Sequence, residues 1–496
     1  MRPLFITGLL LAFASFALSQ SPSQTLKRAE KALGGAKQFQ AIASIQRTGR
    51  ITRISDGANG RYILNTSRPN LLNEDLDLNG FEVERGFNGR SAWERNSRDG
   101  LQTLTGNSSL SLQAKAAFLN SLWLNYKADK SKIVAAGKAS VSGKDTNVVI
   151  LTPAQNISTK LFFDTSSGLL VRTETLDESI DLDDYRDVGS VRLAHAYRIK
   201  RGDAVYEVKL DDIKLNPTIA RSEFDFPSIA SQPLPDLTQL LADVQANEDK
   251  VEGLLDTYSF TQKSTRRALG KDGVLRDTES DTYQLSFYKG YRIRRMIEKN
   301  GQPLSKGDQE DADKDAAKQV AEIEKEISKS EKKSANGPPS EEGKGVSIAE
   351  VLRASKLAAP RRERFRDRDV IVFDFEPNPN FDYKNAKSML KFFGKTAGVI
   401  WIDEKDKQVA RVEAFLVDSF NVGGGVLAKL KKGATFTLEQ SRVNDEIWLP
   451  SQADINLSMR VLMLKGIDVN QVIRSYDYHK FVTEVKDAAV KDVVKP

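Results

Sequence analysis

Apolar residues recur along most of this chain with a period of two, interrupted in a few places by a period near four. Leu26, Ala29 and Leu33, with a later Phe39, form a helical stripe over residues 25–43, broken by Gly34-Gly35. From residue 44 the spacing turns to alternation. Strands are predicted at 44–54, around Ile45 and Ile51, and at 60–64 behind the Asp56-Gly57 turn signal. Residues 81–87 and 91–94 flank Asn88-Gly89, a second hairpin signal. Helical spacing returns over 108–124 through Leu112, Ala116, Leu119 and Trp123. Strands are then predicted over 148–151, 160–163, 169–174, 190–200 and 205–215.

Pro227, Pro233 and Pro235 stand among small polar residues and mark a linker, placed at 228–236. Beyond it the order repeats. A helix at 237–255 carries Leu240, Leu241, Val244, Val251 and Leu255. Strands follow at 258–267, 278–287 and 291–299, then a charged helix at 308–333 with a thin apolar seam. A Gly-, Pro- and Ser-rich loop at 336–345 precedes a short helix at 347–355. Strands at 370–376, 399–402, 408–418, 435–443, 446–462 and 471–481 complete the pattern.

One hairpin occurs twice. Phe162-Phe163-Asp164 is followed by Arg172 and Glu174; Trp401-Ile402-Asp403 is followed by Arg411 and Glu413. In both, Arg stands eight residues after the Asp and Glu two further on. Segments 148–153 and 371–377 also correspond, as do 186–194 and 442–450. One architecture is therefore used twice. The expected fold class is α+β, mainly antiparallel β: two tandem incomplete, half-open β-barrels with lid helices. The domains are placed at 20–227 and 237–485, with a flexible tail at 486–496. Alternation puts Arg and Glu on one strand face and the Asp at the turn, so structural pairing is favoured over catalytic carboxylates.

Composition narrows the function. There are no cysteines and two histidines, His195 and His479. Disulfides and thiolate chemistry are excluded, and metal or general-base chemistry is disfavoured. A formal charge of +6 is too mild to argue for nucleic acid and fits contact with anionic lipid. No cofactor, metal or enzymatic activity is expected, and no nucleic acid. Residues 1–19 read as a cleavable signal peptide: Arg2, a broken apolar stretch over 4–18, then small residues. The stretch is shorter than the roughly 20 residues a membrane anchor needs. A secreted chain without cysteine suits a periplasm.

The sharpest surface candidate is residues 384–398. Lys384, Lys387, Lys391 and Lys395 follow helical spacing, with Ala386, Met389, Leu390 and Phe393 on the complementary stripe and Phe392 nearby. That spacing predicts a basic amphipathic helix inserted in the second repeat, at a membrane surface or over a cavity, or simply packed on the sheet. Met389, Leu390, Phe392 and Phe393, with Val426 and Leu427 in a Gly423-Gly424-Gly425 loop, are the candidates for apolar or membrane contact. Lys387, Lys391 and Lys395 are the candidates for headgroups. Arg361, Arg362, Arg364, Arg366 and Arg368 read as alternate arginines exposed on a strand, or as a phosphate-headgroup surface.

The N-terminal helix, the aromatic-x-Asp hairpin with its downstream Arg-x-Glu, and the mid-domain helices resemble the LolA/LolB-like fold of periplasmic lipoprotein carriers and receptors. The resemblance implies an open antiparallel barrel enclosing an apolar cavity. The function it implies is non-catalytic binding of lipid or lipoprotein acyl chains, in lipoprotein sorting or lipid transport. The partners would be acyl chains and an anionic membrane surface. The alternative is an envelope sensor or protein-interaction scaffold on the same fold.

Overall fold

The computed structural model describes residues 21–153, 158–227, 233–269, 275–334, 348–422, 428–461 and 467–481. The chain divides into two compact units, Met1–Pro227 and Ser228–Pro496.

The first unit opens on helices α1 (Pro22–Ala32) and α2 (Ala36–Gln40). Ser21 and Gln24 cap α1 reciprocally, and Pro22 sits where its missing N–H costs nothing. Gly34 ends the turn at φ +104°; a Cβ there would lie 2.5 Å from the Ser190 carbonyl oxygen. Strands β1 (Ser44–Arg53), β2 (Asn59–Ser67), β3 (Leu71–Leu78), β4 (Phe81–Phe87), β5 (Ala92–Asn96) and β6 (Gly100–Leu104) follow. Helix α3 (Gly106–Ser121) then crosses to β7 (Lys132–Val141), β8 (Lys144–Thr152), β9 (Thr159–Asp164) and β10 (Leu170–Glu174). Three long strands, β11 (Glu178–Val188), β12 (Val191–Arg201) and β13 (Ala204–Leu215), end the unit. The sheet runs β6-β5-β4-β3-β2-β1-β13-β12-β11-β10-β9-β8-β7, with every neighbour antiparallel. It is open, with β6 and β7 at its edges.

The second unit repeats this path. Helix α4 (Leu237–Leu255) leads into β14 (Tyr258–Leu269), β15 (Leu275–Tyr288), β16 (Tyr291–Lys299) and β17 (Gln302–Pro303). Helices α5 (Lys306–Ser334) and α6 (Ile348–Ala354) precede β18 (Ser355–Phe365) and β19 (Arg368–Pro377). Then come α7 (Ser388–Phe393), β20 (Thr396–Asp403) and β21 (Val409–Leu416). A small pair, β22 (Phe420–Val422) and β23 (Ala428–Leu430), precedes β24 (Thr435–Val443), β25 (Ile447–Val461) and β26 (Ile467–Lys480). The order β17-β16-β15-β14-β26-β25-β24-β21-β20-β19-β18 matches the first sheet strand for strand from β14 to β18. In each sheet the last strand closes beside the first.

Register explains the doubled hairpin. Arg172 lies directly opposite Phe162, and Arg411 opposite Trp401. The guanidiniums stand 6.0 Å and 5.3 Å from those rings, within cation–π range. The ladder shifts just before each Arg, so Val171 and Ala410 occupy the same bulge. Each Asp caps its turn. Asp164 accepts from the Ser166 and Ser167 amides at 3.1 Å, and Asp403 from the Lys405 and Asp406 amides at 3.1 and 2.7 Å.

Two sequence readings are corrected. The helix expected over 384–398 is only α7, six residues long. Gly394 is its C-terminal cap, a position held as glycine because a Cβ there would lie 2.6 Å from the Tyr383 ring, and Thr396 already begins β20. The arginines of β18 do not simply alternate into water. Arg361 is buried and pairs with Glu363 at 2.9 Å and Asp374 at 3.0 Å, after a register shift between Ala358 and Arg361 turns it inward.

Candidate functional site

Helices α1 and α3 pack on the first sheet and α4 and α6 on the second, while α5 runs along β16, where the Gln319 side chain hydrogen-bonds the Arg294 main chain. In the first unit α1 lays Leu26, Ala29 and Leu33 against Val149, Leu161 and Phe163. Helix α3 lays Leu112 and Ala116 against the β2–β4 strands. Trp123, just past α3, meets Phe163 edge-on at 5.0 Å. Between α3, the α1 end and the sheet lies a cavity of about 110 Å³, walled by Leu33, Phe39, Leu64, Phe118, Leu119 and Leu122. Its surface is overwhelmingly apolar. A wider hollow of about 230 Å³ around Lys144, Asp181 and Glu207 is more open and more polar. Its more apolar walls make the first the candidate site.

Charges stand in this apolar face, at positions where strand alternation points inward. Glu74 follows Leu72 in β3, Arg201 follows Ile199 in β12, and Glu178 lies opposite Arg201. Lys115 comes down from α3. It meets Glu74 at 3.0 Å and Glu178 at 2.9 Å, while Arg201 meets the same carboxylates at 2.9 and 2.5 Å. The Tyr62 hydroxyl donates to Glu74 at 3.0 Å. Burial pushes both carboxyls up, but Lys115 and Arg201 prevail and hold them below the ordinary glutamate value. The two acids and two bases cancel. Asn120 adds a neutral anchor, donating to the Leu71 carbonyl at 2.9 Å, so Lys115, Asn120 and a greasy face hold α3 to the sheet.

Arg47 is a further charge on the cavity wall. It shares the inward phase of Ile45 and Ile51, its cross-strand partners are Leu64 and Ile213, and it is 4% exposed. Its Nη1 reaches no hydrogen-bond acceptor, and no carboxylate among the described residues pairs with it. The Tyr197 hydroxyl faces it and accepts a hydrogen bond from the guanidinium. Burial raises that hydroxyl's pKa, and the Arg47 charge opposes the rise.

The residues singled out in the sequence lie in the second unit, and the fold uses most of them. Leu390 is buried. Phe392 packs on Phe393, Phe420 and Phe436 with ring centroids 5.6, 5.4 and 5.8 Å apart, so Phe392 and Phe393 join an aromatic cluster. Lys387 pairs with Glu350 at 3.5 Å and Lys395 with Asp418 at 2.9 Å. Met389, 53% exposed, and Lys391 face outward. Val426 and Leu427 lie outside the described residues, as do the leader and the tail. The structure brings none of these residues to the first unit's cavity. Arg47, Glu74, Lys115, Glu178 and Arg201 were missed, although a charge in the inward phase of a strand is visible in the sequence.

No family model matches this chain, and no curated protein matches it. Solved structures of similar fold are a LolA superfamily protein from Nitrosomonas europaea, at 14% identity over 42% of this chain and 98% of that one, with a TM-score of 0.29. A putative outer membrane lipoprotein-sorting protein domain from Vibrio parahaemolyticus shares 10% identity over 41% and 97%, with a TM-score of 0.28. A DUF1329 family protein from Desulfovibrio piger shares 12% over 41% and 97%, also with a TM-score of 0.28. At such TM-scores the likeness carries no weight of its own. What each unit shows by itself is one open antiparallel sheet with helices packed against it.

Proposed function

We propose that the first unit binds a single apolar chain, such as the acyl chain of a lipid or lipoprotein, beneath α3 and without chemistry on it. The observation that supports this best is the partly open, apolar cavity beneath a helix tied to the sheet through Lys115 and Asn120. Ligand pockets usually measure roughly 300–1,000 Å³. The cavity is smaller, so a chain enters only as α3 lifts. Leu122, at the end of α3, has φ +50° and ψ −131°, a conformation that costs a non-glycine residue about 1–3 kcal/mol. That residue is the natural pivot. Each buried methylene contributes about 0.8 kcal/mol, offsetting the contacts α3 gives up.

The reading extends to the periplasm through the signal peptide at 1–19, and to domains at 20–227 and 237–485 joined by the 228–236 linker. No helix among the described residues is long and apolar enough to cross a membrane. Met389 and Lys391 are the exposed remainder of the expected surface and would meet an anionic bilayer. The sensor or scaffold alternative draws on the second unit, where the highly charged α5 lies on β16 through polar contacts such as Arg295–Asp313 at 2.5 Å.

Native mass spectrometry of the full chain, incubated with envelope lipids and followed by lipid identification, tests the proposal. A bound amphiphile that disappears in Leu119→Trp, with the circular dichroism spectrum unchanged, is the expected result. A protein that stays empty, or an adduct indifferent to that variant, contradicts it.

A further inference from the structure

We propose that Arg47 is the headgroup site of this cavity: it receives an oxyanion, carboxylate or phosphate, on the end of the bound apolar chain. The inference rests on the chain-binding reading and makes it specific to acidic amphiphiles.

The geometry argues this in three steps. A guanidinium keeps its proton in any protein environment, so burial cannot neutralise Arg47. A buried charge is normally paired, and the neighbouring network shows how this unit does it: Lys115 and Arg201 share Glu74 and Glu178 at 2.5–3.0 Å. Arg47 stands outside that balanced set, between Leu64 and Ile213, with Nη1 lacking an acceptor. It is therefore a fixed, desolvated cation on the wall of an apolar cavity. A planar guanidinium offers paired donors that match carboxylate or phosphate oxygens. The Tyr197 hydroxyl beside it supplies one more donor to the same anion. The second unit lacks this arrangement in its first strand, where the inward phase carries Tyr258, Phe260, Gln262 and Ser264, all uncharged.

The test compares three probes with one tail: dodecanoate, dodecyl phosphate and 1-dodecanol, each titrated below its micelle concentration into the full chain, delipidated beforehand. The wild-type protein should bind at least one of the two anions about tenfold or more tighter than the alcohol. The preferred anion distinguishes a fatty-acid source from a phospholipid source. Arg47→Met should bind all three alike, with affinity for dodecanol unchanged, and its apo form should melt no lower than wild type, because a buried unpaired charge has been removed. Arg47→Lys should keep part of the preference. Equal binding of all three probes to wild type overturns the headgroup site but leaves the chain-binding cavity standing. Binding of none overturns both. A destabilised Arg47→Met that also loses dodecanol would make Arg47 a structural residue and overturn the proposal as well.

Discussion

The two units share one strand path, but among the described residues their buried networks of paired charges stand on opposite faces. In the first, Arg47, Glu74, Glu178 and Arg201 stand on the helix-covered face, beside the cavity. In the second, that face is apolar along β19 and β20: Leu240 and Val244 of α4 and Leu352 of α6 pack on Ile371, Phe373, Ile400 and Ile402. Its buried ions, Arg361, Glu363 and Asp374, share the other face with Val370, Val372 and Trp401. There Arg368 and Arg411 cover the Trp448 and Trp401 rings at 5.4 and 5.3 Å. An apolar face with helices packed on it is sufficient to hold such a unit together. Charges placed on that face cost desolvation, so their retention in the first unit calls for a use. The proposed function uses this difference: the first unit is then the receptacle and the second a packed core.

The largest effect that can break this comparison comes from the carboxylate at its centre. Glu74→Ala leaves Lys115 and Arg201 short of a partner and should destabilise the first unit by roughly 3–5 kcal/mol, read by urea unfolding. Hydrogen exchange should rise across residues 106–121 and stay as it was in the second unit. Equal loosening of both units would erase the distinction.

Acid comes next. Glu74 and Glu178 are held below the ordinary glutamate value of 4.5, so near that pH the unfolded chain binds more protons than the folded one. The stability they provide is fully present above about pH 4.5 and is lost as pH falls through their lower folded values. Melting curves between pH 6 and 3 should show this loss, and Glu74→Gln should flatten it. A wild-type curve no steeper than that of the variant would remove the network from the account.

Smaller still is the difference between the doubled hairpins. Arg411→Gln should cost about 2 kcal/mol, because it also strips Glu439 of a partner at 2.5 Å. Arg172→Gln, whose partner Asp181 is partly exposed and whose ring contact is longer, should cost about 1 kcal/mol. Reversed costs would deny the paired geometry. Smallest is the surface of α7. Met389→Ala and Lys391→Glu should move stability by no more than about 0.5 kcal/mol. Lys391→Glu should still weaken sedimentation with anionic vesicles by a few fold, since a lysine near such a surface contributes about 1 kcal/mol. Unchanged sedimentation would remove that surface from the function.

Much of the fold was legible. Alternation, turn signals and the repeated aromatic-x-Asp hairpin announced two open antiparallel sheets, because those features are local. Strands β3, β6, β7 and β11 were not read, nor were the short β17, β22 and β23. Leu71–Leu78 mixes Asn, Glu and Asp into its run, Gly100–Leu104 is short, Lys132–Val141 is mostly exposed, and Glu178–Val188 is crowded with Asp and Glu. The site was less legible. Arg47, in the phase of Ile45 and Ile51, passed unnoticed, and so did Glu74, whose strand was not read. Conversely, the lysine spacing over 384–395 suggested one continuous helical face, but the helix starts only after Lys387 and β20 begins at Thr396.

The measurement that bears most directly on the central claim is photo-crosslinking of the full chain with a diazirine-bearing dodecanoate, followed by peptide mapping. Labels on residues 106–126 and on β1 and β2, competed away by excess dodecanoate, are predicted. Labels confined to the second unit, or labels that excess dodecanoate does not displace, would contradict the assignment of the receptacle to the first.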